Sequence, residues 1–336
     1  MPKVELEAGR EKLRLAAPFR IAGYVFEESE VVVVTLTDGA HRGRGEGGGA
    51  YYLGDDADRM MADIEAARGA IEEGTDRAAL QALMPSGGGR NAVDCALWEL
   101  DAARSGKPAW KLAGIDAPRP LLTTFTLGAD TPEVMAEGAR NYAGARAIKV
   151  KLTGEIELDL ARVEAIRAAR PDVWLGVDAN QGYERRGLEW LAAALVEQDV
   201  SLIEQPLARG AEAGLDGFRS PIPIAADESA LTAADLPGLV DRFDVVNIKL
   251  DKSGGLTEAL AMIEEARRLG LGVMVGNMVG SSLAMAPAYI VGQHCDIVDL
   301  DGPTFLACDR TPSVVYRDGL IECGDDVWGT GAKVTA

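Results

Sequence analysis

A chain of 336 residues, 47% hydrophobic and 26% charged, can bury a large core and has the composition of a soluble globular protein. Its formal net charge of −19 argues against a nucleic acid or an anionic membrane as partner, because both require basic surface. The opening MPKVELEAGREKL lacks the apolar core of a signal peptide, and no run reaches the roughly 18 apolar residues of a membrane span, so a cytoplasmic location is expected.

Residues 1–116 read as an α+β block. Strands are expected over 4–15 and 30–36, and the glycine-dense HRGRGEGGGAYYLG at 41–54 reads as a turn and mobile loop, with closure of 44–49 over a site left open. Its GRGEGGG follows a strand but neither opens a helix nor supplies the lysine and hydroxyl of a phosphate-binding loop. Helices are expected over 55–71, 76–83 and 91–105, with Asp94, Glu99 and Asp101 on solvated or interdomain faces. Cys95, Cys295, Cys308 and Cys323 have no metal-ligand spacing and read as small buried side chains, while two histidines, His41 and His294, leave little scope for histidine-rich zinc chemistry.

From 117 onward the pattern is repetitive. Strand-like runs occur at 122–127, 148–152, 174–178, 202–204, 224–227, 245–250, 273–276 and 297–300, separated by helical spacing at 158–170, 187–197 and 256–269. Eight strands alternating with helices predict a parallel β/α barrel over 117–310, with an open doubly wound sheet as the competing arrangement. No good helix follows the eighth run, and the tail 311–336, with a short strand near 314–316, is expected to return to the first domain.

A barrel gathers reactive groups where its strands end, and these runs end in charge. The second, AIKVKL, carries Lys149 and Lys151; the third ends in Asp178, the fourth in Glu204, the fifth in Asp227 and the sixth in Lys249. Singly, each carboxylate reads equally well as a helix cap or turn former. Together, at gaps of 26 (204 − 178) and 23 (227 − 204) residues, they fit successive β/α units converging on one point. Three convergent carboxylates repel unless a cation binds, and oxygen donors without histidine or cysteine favour Mg²⁺. Asn180 and Gln205 stand beside two of the ligands as outer hydrogen-bond partners.

Lys149 and Lys151 lie roughly 6 to 7 Å apart along one face of a strand. At an effective dielectric of about 20 their repulsion is on the order of 2 to 3 kcal/mol, enough to lower one lysine toward neutral pH. Lys249, four strands away, faces Lys151 across the ring. Two opposed bases around a metal-bound carboxylate point to abstraction of an α-proton, with Lys149 adding positive charge to the enolate.

The motifs KVK at 149–151, DAN at 178–180, EQP at 204–206, ADES at 226–229 and NIKLDKSGGLTEAL at 247–260 resemble the enolase superfamily, muconate-lactonising subgroup, over nearly the whole chain. The resemblance implies a (β/α)7β barrel of the TIM type with an α+β capping domain built from the N-terminal region and the C-terminal tail. It implies Lys151 and Lys249 as the acid/base pair and Asp178, Glu204 and Asp227 as Mg²⁺ ligands.

Asp299 and Asp301 in DLDGP share one side of the eighth strand's mouth and suit a substrate ammonium, although Asp-Gly-Pro is also a turn signal. A pair so placed resembles the dipeptide epimerases, and the stretches GRNAVDCALWELDAARSG and DLDGPTFLACD are particularly similar to the bacterial L-Ala-D/L-Glu epimerases; the resemblance implies 1,1-proton transfer at the C-terminal residue's α-carbon through an enediolate. The alternatives within the subgroup are N-succinylamino acid racemase, o-succinylbenzoate synthase and muconate cycloisomerase. Where those glutamate-handling enzymes are expected to carry an arginine, aligning on Pro18 and Phe19 places Phe26, with Arg20 and Arg42 nearby. The epimerised residue is therefore expected to be apolar, meeting Phe26 and Tyr24, or cationic, meeting Glu27 or Glu28. The partner expected is a dipeptide; a homo-oligomer is left open.

Overall fold

The structure is a computed structural model that describes residues 3–21, 24–330 and 332–333, with side chains at 3–20 and 25–330. Alternating buried and exposed residues near the N-terminus pair β1 (Glu5–Ile21) antiparallel to β2 (Tyr24–Thr37), and β3 (His41–Gly48) joins the far side of β2. Val32, Val34 and Leu36 pack on α1 (Ala57–Glu72), α2 (Arg77–Leu83) and α3 (Gly88–Ser105), giving this layer its own core. Asp56 and Asp76 cap α1 and α2 by accepting the amides of Arg59 and Ala79.

The glycine-dense segment is a strand and not the mobile loop expected. A Cβ on Gly43, Gly45 or Gly47 would stand 2.1 Å from the backbone oxygen of Ala96, Ala92 or Gly88. Glycine at every second position lets β3 lie flush on α3, and the odd-even alternation is that of a strand with one face against a helix backbone. Of the two faces expected for Asp94 and Glu99, solvated or interdomain, Asp94 lies on the interdomain one, buried and accepting the amide and hydroxyl of Thr257 in the barrel at 2.9 and 2.6 Å, while Glu99 is buried and holds Arg44. Among the cysteines Cys95 is buried, Cys295 and Cys323 are half-buried and Cys308 is exposed, so the expectation of four buried thiols holds in full only for Cys95.

After the short α4 (Ala109–Leu112), the expected first barrel strand divides. β4 (Leu121–Leu122) leaves for a small sheet with the tail, and β5 (Phe125–Leu127) starts the barrel. Then follow α5 (Pro132–Asn141), β6 (Ala147–Lys151), α6 (Ile156–Ala169), β7 (Trp174–Asp178), α7 (Arg185–Val196), β8 (Leu202–Glu204), β9 (Ile224–Ala226) and β10 (Val245–Ile248). The last units are α8 (Leu250–Ser253), α9 (Leu256–Arg268), β11 (Gly272–Val275), α10 (Ser282–Gly292) and β12 (Ile297–Val298). The crossovers after β8 and β9 carry 3-10 turns at Glu212–Leu215 and Ala233–Leu239 in place of α-helices.

All eight strands are parallel and neighbours in chain order, as a barrel and not a doubly wound sheet requires. Thr124 N–H closes the ring on the Val298 carbonyl at 3.0 Å, and Thr123 Oγ1 accepts the Leu300 amide at 2.9 Å. The tail pairs β13 (Val315–Arg317) with β14 (Leu320–Glu322), sets β14 on β4, and ends with β15 (Ala332–Lys333) on β3. Arg310, the last residue before the tail, bridges Glu11 and the buried Glu46 and so ties the N-terminal layer to the barrel. Among the described residues no helix is long and apolar enough to cross a membrane.

Candidate active site

β6 is buried along its whole length, so its two lysines cannot reach bulk water and turn to the strand mouths, where carboxylates wait. Lys151 Nζ lies 2.5 Å from Asp178 Oδ2 at the end of the adjacent β7. Lys149 contacts Asp299 and stands 3.4 Å from Glu204 Oε2. From the opposite side, Lys249 Nζ reaches Asp227 Oδ2 at 2.5 Å. β6 and β10 are four places apart in a ring of eight, so Lys151 and Lys249 approach from opposite walls.

Asp178, Glu204 and Asp227, at or just past the ends of β7, β8 and β9, each offer an oxygen within 4.8 Å of the others, and all three are buried. Burial, and then Asp178, push Glu204 up to about 7, and its Oε2 accepts no hydrogen bond among the described residues. Asp227 stays well below the ordinary carboxylate range despite burial, held there by Lys249 and Lys252. A carboxylate oxygen left without a hydrogen bond, in an all-oxygen, fully buried triad, belongs to the donor set a hard divalent ion fits.

The mutual lowering expected for Lys149 and Lys151 is overruled for Lys149. Burial lowers Lys149, but Asp299, Glu204 and Asp178 outweigh it and hold the ammonium well above its usual range; Lys249 is raised by Asp227 and Glu204 against the same opposition. A carboxylate stands closer to each ammonium than the strand spacing puts the other lysine, and the nearer charge decides.

The surroundings fix these groups. Gln205 Oε1 accepts the amides of Asp227 and Ser229, and Asn180 donates its amide to Asp178 at 2.9 Å while its Oδ1 has no partner among the described residues. Asn180 and Gln205 adopt left-handed backbone at φ 44° and 35°, an outlying geometry held directly beside two carboxylates of the triad. Asp299 Oδ1 accepts the Thr124 hydroxyl at 2.5 Å, and Asp301 Oδ2 the Thr126 amide at 2.6 Å. Burial and Asp299 push Asp301 up to about 6.

These side chains open into a cavity of about 270 Å³ beneath the N-terminal layer. Phe26 lines it with its ring against Tyr51, centroids 5.6 Å apart; Tyr24 begins β2, and its side chain lies outside the described residues. Arg20 and Arg42 do not line it: Arg20 borders a neighbouring cavity, and Arg42 is exposed at the start of β3. Of Glu27 and Glu28, only Glu28 borders it, paired with Lys12 at 2.5 Å. Gly48 and Gly49 contribute backbone to the wall.

Several neighbours escaped the sequence reading. Lys252 is fully buried and lies 2.6 Å from Asp227 Oδ1; it stands three residues after Lys249, a spacing that reaches back only if a helical turn starts there, as α8 does. Asn247 donates to Glu204 Oε1 at 2.6 Å, and its period-two spacing from Lys249 on one strand was a usable signal. Glu228, Tyr51, Tyr52 and Phe305 also line the cavity. Asp251 anchors the roof: it accepts the amide of Gly48 at 2.8 Å and the side chain of Asn91 at 2.9 Å.

Residues 3–114 match the mandelate racemase / muconate lactonizing enzyme N-terminal domain, and residues 133–332 the enolase C-terminal domain-like family. An L-Ala-D/L-Glu epimerase of Escherichia coli strain K12 is 40% identical over 307 residues, 91% of this chain and 95% of its own length. A crystal structure of an enolase family member from Agrobacterium tumefaciens with homology to dipeptide epimerases, with bound sodium and L-Ala-L-Glu, superposes with a TM-score of 0.92 at 41% identity, covering 97% of this chain and 100% of that one. Dipeptide epimerase from Enterococcus faecalis V583, complexed with Mg and L-Leu-L-Tyr, gives 0.89 at 29% identity over 98% and 99% of the two chains. With both domains matched and the carboxylates and lysines converging beneath them, the chain belongs to the mandelate racemase / muconate lactonizing enzyme family of enolase-like proteins.

Proposed function

We propose that this protein is a Mg²⁺-dependent dipeptide epimerase in which Lys151 and Lys249 exchange the α-proton of the C-terminal residue. The observation that carries the reading is one buried carboxylate triad flanked by two buried lysine side chains from opposite strands, Lys151 against Asp178 and Lys249 against Asp227. Simple binding of an anion or a metal needs no such opposed pair. Asp178, Glu204 and Asp227 would hold the ion, which when bound supplies positive charge to a substrate carboxylate and so acidifies the neighbouring C–H.

One lysine, as the neutral amine, takes the proton from one face of the α-carbon while the other, as the ammonium, gives its own proton to the opposite face, which inverts the centre. Lys149 adds positive charge beside the reacting carboxylate. Asp301, with Asp299, receives the free ammonium of the first residue, and Asn180 Oδ1 is left to accept a substrate N–H. In this arrangement 117–310 carries the chemistry, 1–116 builds the selective roof, and 311–336 returns to pair with that layer.

The roof favours an apolar side chain on the epimerised residue. Leu15, Phe19, Phe26, Tyr51 and Tyr52 face the cavity from that layer, and the charges it contributes, Glu28, Glu30, Asp55 and Asp56, are all acidic. A substrate glutamate finds no counter-ion there among the described residues.

A panel of L,L-dipeptides incubated in D₂O with Mg²⁺ tests the proposal by NMR of the C-terminal Cα–H. Exchange with apolar C-terminal residues is expected. Exchange of Ala-Glu alone would overturn the apolar preference, and exchange of none would overturn the epimerase reading.

A further inference from the structure

Phe19 from the N-terminal layer and Phe305 from the turn after β12 stand with ring centroids 4.7 Å apart. Behind them lies a second cavity, of about 320 Å³, which holds none of the three lysines and none of the triad. Its walls are the segment 16–20 on one side and the first β/α unit of the barrel on the other, with Leu127, Val134, Met135 and Tyr142 giving it an apolar lining. The two cavities share Phe19, Thr126 and Phe305. Val134, in the first turn of α5, is 54% exposed at this site, a large apolar side chain that nothing in the described chain covers.

The shared wall is the part of the reaction cavity nearest the group proposed to hold the substrate's ammonium. Asp301 Oδ2 accepts the Thr126 amide at 2.6 Å, and Phe305 follows four residues after Asp301 on the same short turn. An ammonium seated on Asp301 therefore brings the α-carbon of the first residue against the Phe19 and Phe305 rings. A peptide extended at its N-terminus would place a neutral amide against this carboxylate in place of the ammonium, so the space beyond is not for further backbone.

We propose that the second cavity receives the side chain of the substrate's first residue when that residue is large and apolar, with Phe19 and Phe305 as the doorposts. The inference rests on the dipeptide reading above and extends it to the other half of the substrate. A methyl group stays on the reaction-cavity side of the rings. A leucine or phenylalanine side chain parts the two rings, which touch at 4.7 Å between centroids, and buries its surface against Leu127, Met135 and Val134, which raises kcat/KM on the order of 10-fold or more over glycine at that position.

The test is a series Gly-Leu, Ala-Leu, Leu-Leu and Phe-Leu with the Mg²⁺-loaded protein, measured as C-terminal Cα–H exchange in D₂O, followed by the same series with Val134→Glu. Glutamate at 134 is the third helical residue after the Thr131 cap, a favourable place for it, so α5 is expected to fold while the lining gains a charge. A rise in kcat/KM with apolar bulk in the native chain, reduced to near parity by the variant, supports the assignment. A flat series, a fall with size, or a rise that Val134→Glu leaves intact overturns it while the epimerase reading stands. No exchange with any member, nor with any other dipeptide, overturns that reading and the second cavity's assignment with it.

Discussion

Gly45→Ala probes how tightly the roof of the site is held. An alanine Cβ there would lie 2.1 Å from the Ala92 oxygen and 2.8 Å from the Ala96 nitrogen, both backbone atoms of α3 that no rotamer change can move. Reaching ordinary contact at 3.4 Å requires β3 and α3 to separate by about 1.3 Å (3.4 − 2.1) at that point. Overpacking of this kind costs about 1 to 3 kcal/mol. If the whole chain unfolds as one unit, its unfolding entropy near Tm is about 0.7 kcal/mol/K, so a 3 kcal/mol loss lowers Tm by about 4 °C. If the N-terminal layer unfolds alone the drop is about three times larger, because the entropy scales with the residues released. Differential scanning calorimetry reads either case. Gly9→Ala is the control: a methyl group there would meet no atom within 4 Å, and the change is expected to stay within about 1 kcal/mol of the native chain. Since β3 runs directly into Gly48 and the Tyr51–Leu53 turn, kcat/KM should fall with Tm in Gly45→Ala. A Gly45→Ala protein with unchanged Tm would refute the argument that backbone contact fixes the roof.

Lys151→Ala and Lys249→Ala should each lower epimerisation by about 10²- to 10⁴-fold, while one enantiomer of the substrate still exchanges deuterium with the lysine that remains; full activity in either variant would exclude the two-base scheme. Asp94 is fully buried and pushed up to about 6 mainly by burial, so the folded state binds its proton more tightly than the unfolded chain does. Its contribution is therefore most favourable below the ordinary carboxylate value and is lost as pH rises from about 4 to 6, by about 3 kcal/mol at most. Asp94→Asn should accordingly gain stability relative to the native chain between about pH 4.5 and pH 7, read as the difference in their Tm-against-pH curves; parallel curves would show that Asp94 does not titrate between folded and unfolded states. Saturating Mg²⁺ at about 100 times its Kd should stabilise the protein by about 2.7 kcal/mol, and chelator should reverse it. Replacing Glu204 with Gln should abolish that shift, and an undiminished shift in the variant would place the ion elsewhere.

The barrel and the charged side chains gathered at its strand ends were legible because both follow short rules. Parallel strands recur at the spacing of β/α units, and their charged ends have few uses, so Lys149, Lys151, Asp178, Glu204, Asp227 and Lys249 stand out one strand at a time. What the sequence hides is partnership across long separations. The glycines of β3 look like loop composition until α3, some fifty residues on, is laid against them. Lys252 reads as a surface lysine until α8 turns it back toward Asp227, and Lys149 reads as a neighbour of Lys151 until Asp299, 150 residues later, claims it. The aromatic wall is hidden for the same reason: Phe19, Tyr51 and Phe305 meet only once the N-terminal layer is seated on the barrel.

The ring closes where its first and eighth strands meet, and that junction is short of backbone pairing. Thr124 gives its amide to Val298 and its hydroxyl to Asp299, Thr123 accepts the Leu300 amide, and the Thr126 amide goes to Asp301. The two aspartates proposed to meet the substrate's ammonium are thus also stitches in the barrel wall. Any transient unzipping of this edge would release Asp299 from Thr124 and disturb its hold on Lys149 in the same event, so breathing of the wall and disarming of the site become one motion. An ammonium bridging the pair from the cavity side would lock the edge, and the amide protons of 126 and 300 would then exchange more slowly with solvent. The barrel's closing edge would in that way sense whether the pocket is filled.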